Sequence, residues 1–298
     1  MIEVKHVTKS FDGFTALDHL SMTVPKGAIY GLVGPNGSGK STIIRHIMGI
    51  YHPDEGEILV NGAPVWENPA VKGRMAYIPD DVFYFLSSSV RDMMKYYRGI
   101  YPRFDMERYE KLREVFPEVR ETKTIRTMSK GMQKQAAFWL QMCLRPEVMV
   151  LDEPVDGLDP VMRRQVWSIL MGDAAEHGIT VLVSSHNLRE LEDVCDHVGI
   201  LDHGHLLLER SLSELQENIV KIQIALPEGA ALPEGLRILH ESAAGRLKTL
   251  IIRGESEEIQ TRLNGCAPLF MDALPLSLEE IFIYELGGND YAVKDILL

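Results

Sequence analysis

Residues 34 to 42 read Gly34, Pro35, Asn36, Gly37, Ser38, Gly39, Lys40, Ser41 and Thr42. That order fits the pattern G-x-x-x-x-G-K-[ST] without a gap, and its chemistry is the holding of a nucleoside triphosphate. Such an anion needs many backbone N–H donors converging on it, so side chains must not block the approach. Gly34, Gly37 and Gly39 remove the obstruction and admit backbone angles that other residues rarely adopt. Lys40 brings a mobile positive charge to the outer phosphates, and Ser41 a hydroxyl for Mg2+. An apolar run, Ala28 to Val33, precedes the loop, and Thr42, Ile43, Ile44, Ile47 and Met48 follow it at helical spacing. Strand, glycine loop and helix in that order aim the helix N-terminus and its unpaired amides at the anion.

A second chemical group closes another apolar run, where Val148-Met-Val-Leu-Asp-Glu-Pro sets Asp152 beside Glu153. Ligands of open α/β sheets bind beyond the carboxyl ends of the strands, so both acids should emerge near the triphosphate. Asp152 is suited to hold Mg2+ directly or through water, and Glu153 to accept a proton from an attacking water. In isolation two acids at a strand end are simply two solvated acids; the phosphate loop upstream gives them a reaction. His186 follows the apolar stretch Ile179 to Val183 through Ser184 and Ser185, and so occupies the same kind of strand end. His203 and His205 fit a hairpin turn and carry no such context.

The elements that must position these groups can be read from the hydrophobic pattern. Ile2 and Val4, then Leu20, Met22 and Val24, alternate with polar residues as half-buried strands do. Glu57 to Val60 followed by Asn61-Gly62 predicts a hairpin, because Asn-Gly suits a tight primed turn. Met75 to Ile78, Val148 to Leu151 and Thr180 to Val183 are short apolar runs, the last two without alternation, as in a parallel sheet covered on both faces. Helical patterns cover Val90 to Tyr97, Asp105 to Phe116, Ser129 to Leu144 and Pro160 to His177. The segment from about Asp81 to Thr127 carries no strand-like run and reads as an all-helical insertion. Beyond Glu209 the rhythm changes to strands at Asn218 to Ala225, Arg237 to His240 and Leu247 to Ile252, with helices at Ser256 to Leu263 and Ser277 to Leu286.

Composition removes several classes of function. A formal net charge of −12 argues against a nucleic-acid-coating surface, whose footprint is basic. The longest run free of Asp, Glu, Lys and Arg, Gly27 to Gly39, is the phosphate loop itself, well short of the ~20 apolar residues of a membrane-spanning helix. The opening Met-Ile-Glu-Val-Lys-His has no apolar signal core, and secretion is not expected. Cys143, Cys195 and Cys266 are widely spaced and fit apolar fillers in a reducing compartment.

Taken together, these motifs resemble those of the ATP-binding-cassette (ABC) ATPases over residues 1 to about 215. Thr127-Met-Ser-Lys-Gly-Met-Gln-Lys-Gln looks like the family signature Leu-Ser-Gly-Gly-Gln, with Ser129 and Gly131 matching and Lys130, Met132 and the spacing to Gln133 departing. A serine and a glycine at a helix start make a second anion site, which the resemblance implies caps the γ-phosphate held by an opposite subunit. Gly157-Leu-Asp-Pro resembles the D-loop, with Asp159 also serving as a helix cap ahead of Pro160. His186 matches the switch histidine, and Phe11 the aromatic that stacks on adenine. The family's usual glutamine after the strand Met75 to Ile78 is absent, and Pro79-Asp80-Asp81 stands there. A carboxylate at Asp80 can ligate a hard cation in its place.

The resemblance implies an α/β P-loop core (1–215) with an antiparallel β subdomain and a helical subdomain (about 82–145), followed by a small α+β accessory domain (216–298). It implies ATP and Mg2+ as cofactors, with Glu153, His186 and Lys40 as the catalytic set. It also implies a second ATPase subunit, identical or a paralogue, and a separately encoded membrane permease that holds the chain at the cytoplasmic side of the cell membrane. Lys130-Gly-Met and Ser277-Leu-Glu-Glu-Ile-Phe look like ATPases of exporters moving peptides, antibiotics or other amphipathic cargo, and Phe83, Tyr84, Phe85 and Leu86 make an apolar patch for the permease. An importer ATPase and a soluble ABC ATPase uncoupled from transport are the alternatives. The short insertion leaves no room for a chromosome-type coiled coil, and a single cassette speaks against the translation type.

Overall fold

The structure, a computed structural model, describes residues 1 to 286 apart from 218 and 229. The expected strand start at Asn218 and the end of the expected accessory domain, 287 to 298, lie outside the described residues. Along the chain the first elements are β1 (Ile2–Phe11), β2 (Phe14–Val24), β3 (Ile29–Val33), α1 (Lys40–Ile47), β4 (Glu55–Val60), β5 (Ala63–Pro64), α2 (Pro69–Lys72) and β6 (Met75–Ile78). Then come α3 (Val90–Ile100), α4 (Met106–Val115), α5 (Lys130–Met142), β7 (Val148–Asp152), α6 (Pro160–His177), β8 (Thr180–Ser185), β9 (His197–Asp202) and β10 (His205–Ser211). The last stretch holds α7 (Leu212–Glu217), β11 (Ile219–Ala225), β12 (Arg237–Ala244), β13 (Leu247–Arg253), α8 (Ser256–Asn264), β14 (Phe270–Leu274) and α9 (Leu278–Leu286). Two compact units result, Met1–His186 with Val194–Glu209, and Asn187–Asp193 with the chain from Arg210 onward.

In the first unit, a sheet in the order β10-β9-β3-β8-β7-β6 is parallel at the β3/β8, β3/β9, β7/β8 and β6/β7 pairings. β3, β7 and β8 are buried at every position, which is why their sequences show no alternation. A second sheet, β2-β1-β4-β5, is antiparallel, and its β4–β5 hairpin turns through Asn61 and Gly62 with Val60 opposite Ala63. Between the sheets lies one apolar core in which Ile2, Val4, Leu20 and Met22 meet Ile43, Ile44, Ile47, Leu32 and Val150. α1 has a single short span and would not persist alone. Burying three isoleucines at about 1.5–3 kcal/mol each outweighs that weakness and fixes the helix whose N-terminus faces the phosphate loop.

The helical insertion is held by its own apolar and polar contacts. Ser89 caps α3 through a capping box, its Oγ accepting from the Asp92 N–H at 3.2 Å while the Asp92 carboxylate accepts from the Ser89 N–H at 3.0 Å. Trp139 of α5 is fully buried, stacks on Tyr109 of α4 at 4.8 Å and donates its indole N–H to the Tyr109 carbonyl at 2.8 Å. Of the expected docking cluster, Phe83, Phe85 and Leu86 are exposed, but Tyr84 is 5% exposed and belongs to the core.

The second unit is a four-stranded sheet in the order β12-β13-β11-β14, with antiparallel neighbours throughout. One face packs Val220, Ile222, Ile224, Leu250 and Ile252 against Ile259 and Leu263 of α8. β14 was not anticipated from the sequence; Pro268 and Pro275 bracket only a short run there. The turn Asn187–Asp193 also belongs to this unit. Arg189 forms a two-point ion pair with Glu279 at 2.9 and 3.0 Å, and the Leu278 N–H donates to Glu192 at 2.9 Å.

Candidate active site

The carboxyl ends of β3, β7 and β8 deliver three groups to one place. Lys40 opens α1 just after Gly39, whose φ of 111° lets the loop turn into the helix. Its side chain is 6% exposed, with Nζ donating to the Gly34 carbonyl at 2.6 Å and the Pro35 carbonyl at 3.2 Å. The same ammonium lies 3.7 Å from Glu153 Oε1. Burial pushes it below its ordinary pKa, while the Glu153 and Asp152 carboxylates act to restore the charge. On the other side of Glu153, Oε2 stands 2.9 Å from His186 Nδ1, so the tautomer carrying a proton there donates to the carboxylate. Lys40, Glu153 and His186 thus form one ammonium–carboxylate–imidazole cluster.

Its geometry is set by the main chain. Glu153 has φ 46°, a conformation that strains a residue bearing a Cβ by roughly 1–3 kcal/mol. Parallel pairing places Asp152 opposite Ser184. From there Ser184 Oγ donates to Asp152 Oδ1 at 2.6 Å and accepts from the Glu153 N–H at 3.1 Å. Asp152 is 2% exposed, so without that bond one of its oxygens would be buried and unmatched. Asp156 brings in another carboxylate, its ligand atom within 4.8 Å of those of Glu153 and His186.

The other predicted residues lie outside this cluster, although Asp80, Lys130 and Gly157 line one cavity with Asp156. Ser129 caps α5, its Oγ accepting from the Met132 N–H at 3.3 Å, and Lys130 beside it is exposed. Gly131 packs so closely on the segment that resembles a D-loop that a Cβ there would sit 2.6 Å from the Gly157 carbonyl oxygen. Asp159 caps α6 by accepting from the Val161 and Met162 N–H groups, both at 3.0 Å. Phe11, 38% exposed at the end of β1, meets Tyr51 edge-on at 5.6 Å. Asp80, a candidate cation ligand from the sequence, pairs with Lys134 at 3.2 Å.

The comparisons with known proteins agree with this architecture. The family model described as ABC transporter matches residues 17–156. The ABC transporter ATP-binding protein YtrB of Bacillus subtilis (strain 168) is 35% identical over 97% of this chain and 99% of its own length. The chain belongs to the ABC transporter ATP-binding proteins. Another member of this family, the Nod factor export ATP-binding protein I of Rhizobium sp. (strain N33), is 29% identical over 96% of this chain and 97% of its own. A solved ATP-binding subunit of an ABC transporter superposes with a TM-score of 0.67 at 27% identity, covering 72% of this chain and 92% of that one. The ABC ATPase fold expected from the motifs is therefore borne out, and the chain is an ATPase of that family.

The loop's own atoms fit an anion. Ser38 Oγ is buried without a hydrogen-bond partner among the described residues, an unmatched donor in a loop built to meet oxygen. Ser41, in the first turn of α1, and Asp152 offer a hydroxyl and a carboxylate, the hard oxygen donors that suit Mg2+. Sequence reasoning missed Ser184, Asp156 and Lys134. Ser184 had a faint signal, a hydroxyl at the strand position level with Asp152; Lys134 had only its place on the signature helix.

Proposed function

We propose that this chain hydrolyses ATP to power a membrane exporter, with a second ATPase copy or paralogue completing each nucleotide pocket. The observation that carries the catalytic part is the convergence of Lys40 and His186 on the Glu153 carboxylate. Glu153 orients and deprotonates the attacking water, His186 holds the outer phosphate, and Lys40 stabilises the charge that develops there. Ser41 and Asp152 would hold a Mg2+ ion, which would supply further neutralisation of phosphate charge. The phosphate loop binds from one side, and Ser129 with Gly131 of the opposite subunit closes the other. Phe11 stacks on the base, with Tyr51 behind it.

Among the described residues no helix is long and apolar enough to cross a membrane. In this reading the translocation path belongs to a separate permease subunit, which docks on the exposed Phe83, Phe85 and Leu86 at the cytoplasmic face. Export rather than import is supported by the name of the Nod factor export relative and by Lys130-Gly-Met and Ser277-Leu-Glu-Glu-Ile-Phe in the sequence. The cargo class is a peptide, antibiotic or other amphipathic molecule. Nucleic acid is not a partner on this reading, given the net charge of −12.

The decisive experiment is Glu153→Gln, measured for nucleotide binding and turnover on the full chain. General-base catalysis contributes about 10²- to 10⁴-fold, so turnover should fall by at least that lower figure while ATP is still retained. A normal rate would remove Glu153 from the role. For direction, cargo movement in vesicles reconstituted with the permease should run outward from the ATP side. Inward movement would make the chain an importer subunit, and failure to co-purify with any membrane protein would point to a soluble ATPase.

A further inference from the structure

Lys134 follows Ser129 and Gly131 on the helix of the signature-like stretch and has no ATP role assigned to it, yet its side chain is drawn almost wholly into the protein, 6% exposed. Taking an ammonium out of water is costly unless it is paired and hydrogen-bonded. It has two partners, Asp80 Oδ1 at 3.2 Å, just past β6, and the main-chain carbonyl of Glu153 at 2.5 Å. Neutralising Asp80 does not explain the burial, because that carboxylate is 57% exposed and pairs of that kind contribute little. The second partner, the Glu153 carbonyl, carries the ammonium onto the catalytic backbone.

Glu153 holds a left-handed backbone with φ 46°. Its N–H is fixed by Ser184 Oγ at 3.1 Å, and its carbonyl by Lys134, with the Asp156 N–H adding a longer contact at 3.4 Å. Two side chains from different elements, β8 and α5, thus clamp both main-chain polar groups of the residue whose carboxylate meets Lys40 and His186. If these bonds hold the strained backbone in place, releasing either would let it relax and turn the carboxylate with it.

We propose that Lys134 is a positioning residue that holds Glu153 in its strained, productive conformation, and that Asp80 anchors Lys134 for this task. Asp80 leads into the helical insertion, so its carboxylate ties that insertion to the catalytic backbone through one ammonium. The inference rests on Glu153 as the residue that polarises water. A cavity of about 350 Å³ lies beside the ammonium, lined by Asp80, Lys130, Gln133, Asp156 and Gly157 among others.

The test compares Lys134→Met, Lys134→Arg, Asp80→Asn and Glu153→Gln in the full chain. It measures kcat, affinity for a fluorescent ATP analogue, and hydrogen exchange across residues 153 to 157. Misplacement of a reacting group by about 1 Å can cost ~100-fold in rate, so Lys134→Met should lower kcat by about tenfold to a hundredfold. Affinity should stay within about twofold, exchange across 153 to 157 should rise, and Lys134→Arg should recover most of the lost rate. Asp80→Asn should give a smaller loss that vanishes in the Lys134→Met background, since both act through one contact. An unchanged kcat in Lys134→Met, or a loss matched by lost affinity with unchanged exchange, overturns the proposal. If Lys134→Met does not fold, Asp80→Asn decides, and wild-type rate and exchange there overturn it. Normal turnover in Glu153→Gln would instead sink the role of Glu153, while hydrogen exchange, which needs no turnover, would still report whether Lys134 holds the loop.

Discussion

The two units bury different things. In the first, Lys40, Lys134, Asp152, Ser184 and Ser185 are buried beside a large apolar core. In the second, the buried set that packs β11 and β13 on α8 is apolar, with Val220, Ile222, Leu250, Ile252, Ile259 and Leu263 at its centre. Among the described residues, the buried polar and charged side chains lie in the first unit. Burial of an apolar side chain stabilises without needing a partner, whereas each buried charge must be matched or it costs several kcal/mol. The first unit therefore holds groups that stability alone would not select, and Lys40, Asp152, Ser184 and Ser185 gather where the parallel strands end. Fold and chemistry are separable quantities in this molecule, and substitutions can pull them apart.

The largest stability effect should come from the second unit. Ile222 is fully buried on β11, the strand flanked by β13 and β14. Ile222→Ala should destabilise the second unit by about 2–5 kcal/mol through lost transfer energy and the cavity left behind. Calorimetry should show the transition of that unit falling while ATP affinity remains that of the wild type. A proportional loss of affinity would break the contrast, because it would mean that the accessory sheet supports the nucleotide site.

Gly131→Ala tests a position where fold and chemistry meet. On a bare helix, replacing glycine by alanine gains about 1 kcal/mol. Here the new Cβ would lie 2.6 Å from the Gly157 carbonyl oxygen, a backbone atom that cannot swing aside like a side chain. Overpacking of this kind costs about 1–3 kcal/mol, so the net result should be a loss of up to ~2 kcal/mol. The urea midpoint reads the sign. A gain in stability would show that α5 and the D-loop separate easily and that this close approach is not a fixed part of the fold.

What was legible in the sequence follows the same division. Lys40, Asp152, Glu153 and His186 could be found because each ends or follows a short apolar run, and parallel strands carry such ends to one edge. Ser184 and Lys134 could not be assigned, since their roles come from strand register and from a long side chain crossing between elements. Tyr84 illustrates the limit of composition. Four consecutive apolar and aromatic residues look like one patch, yet the irregular chain there turns the tyrosine inward and its neighbours outward. β14 escaped notice because strand pairing with β11 creates it, with little pattern of its own. The pairing of Asn187–Asp193 with α9 spans some 90 residues of sequence and leaves no local trace.

The smallest effect should separate two roles of one residue. Asp159 caps α6 through two N–H groups and also sits in the segment that resembles a subunit-facing D-loop. Asn and Asp are equivalent as helix caps, while Ala lacks the acceptor and costs ~1 kcal/mol. Asp159→Ala should therefore lower stability by about that amount, and Asp159→Asn by only a few tenths of a kcal/mol. Turnover should fall in both variants if the carboxylate charge matters across a subunit interface. If it falls only in Asp159→Ala, in step with stability, the cap accounts for the aspartate completely. Activity lost in a well-folded Asp159→Asn chain would mark this side chain as serving the assembled pair rather than the helix it begins.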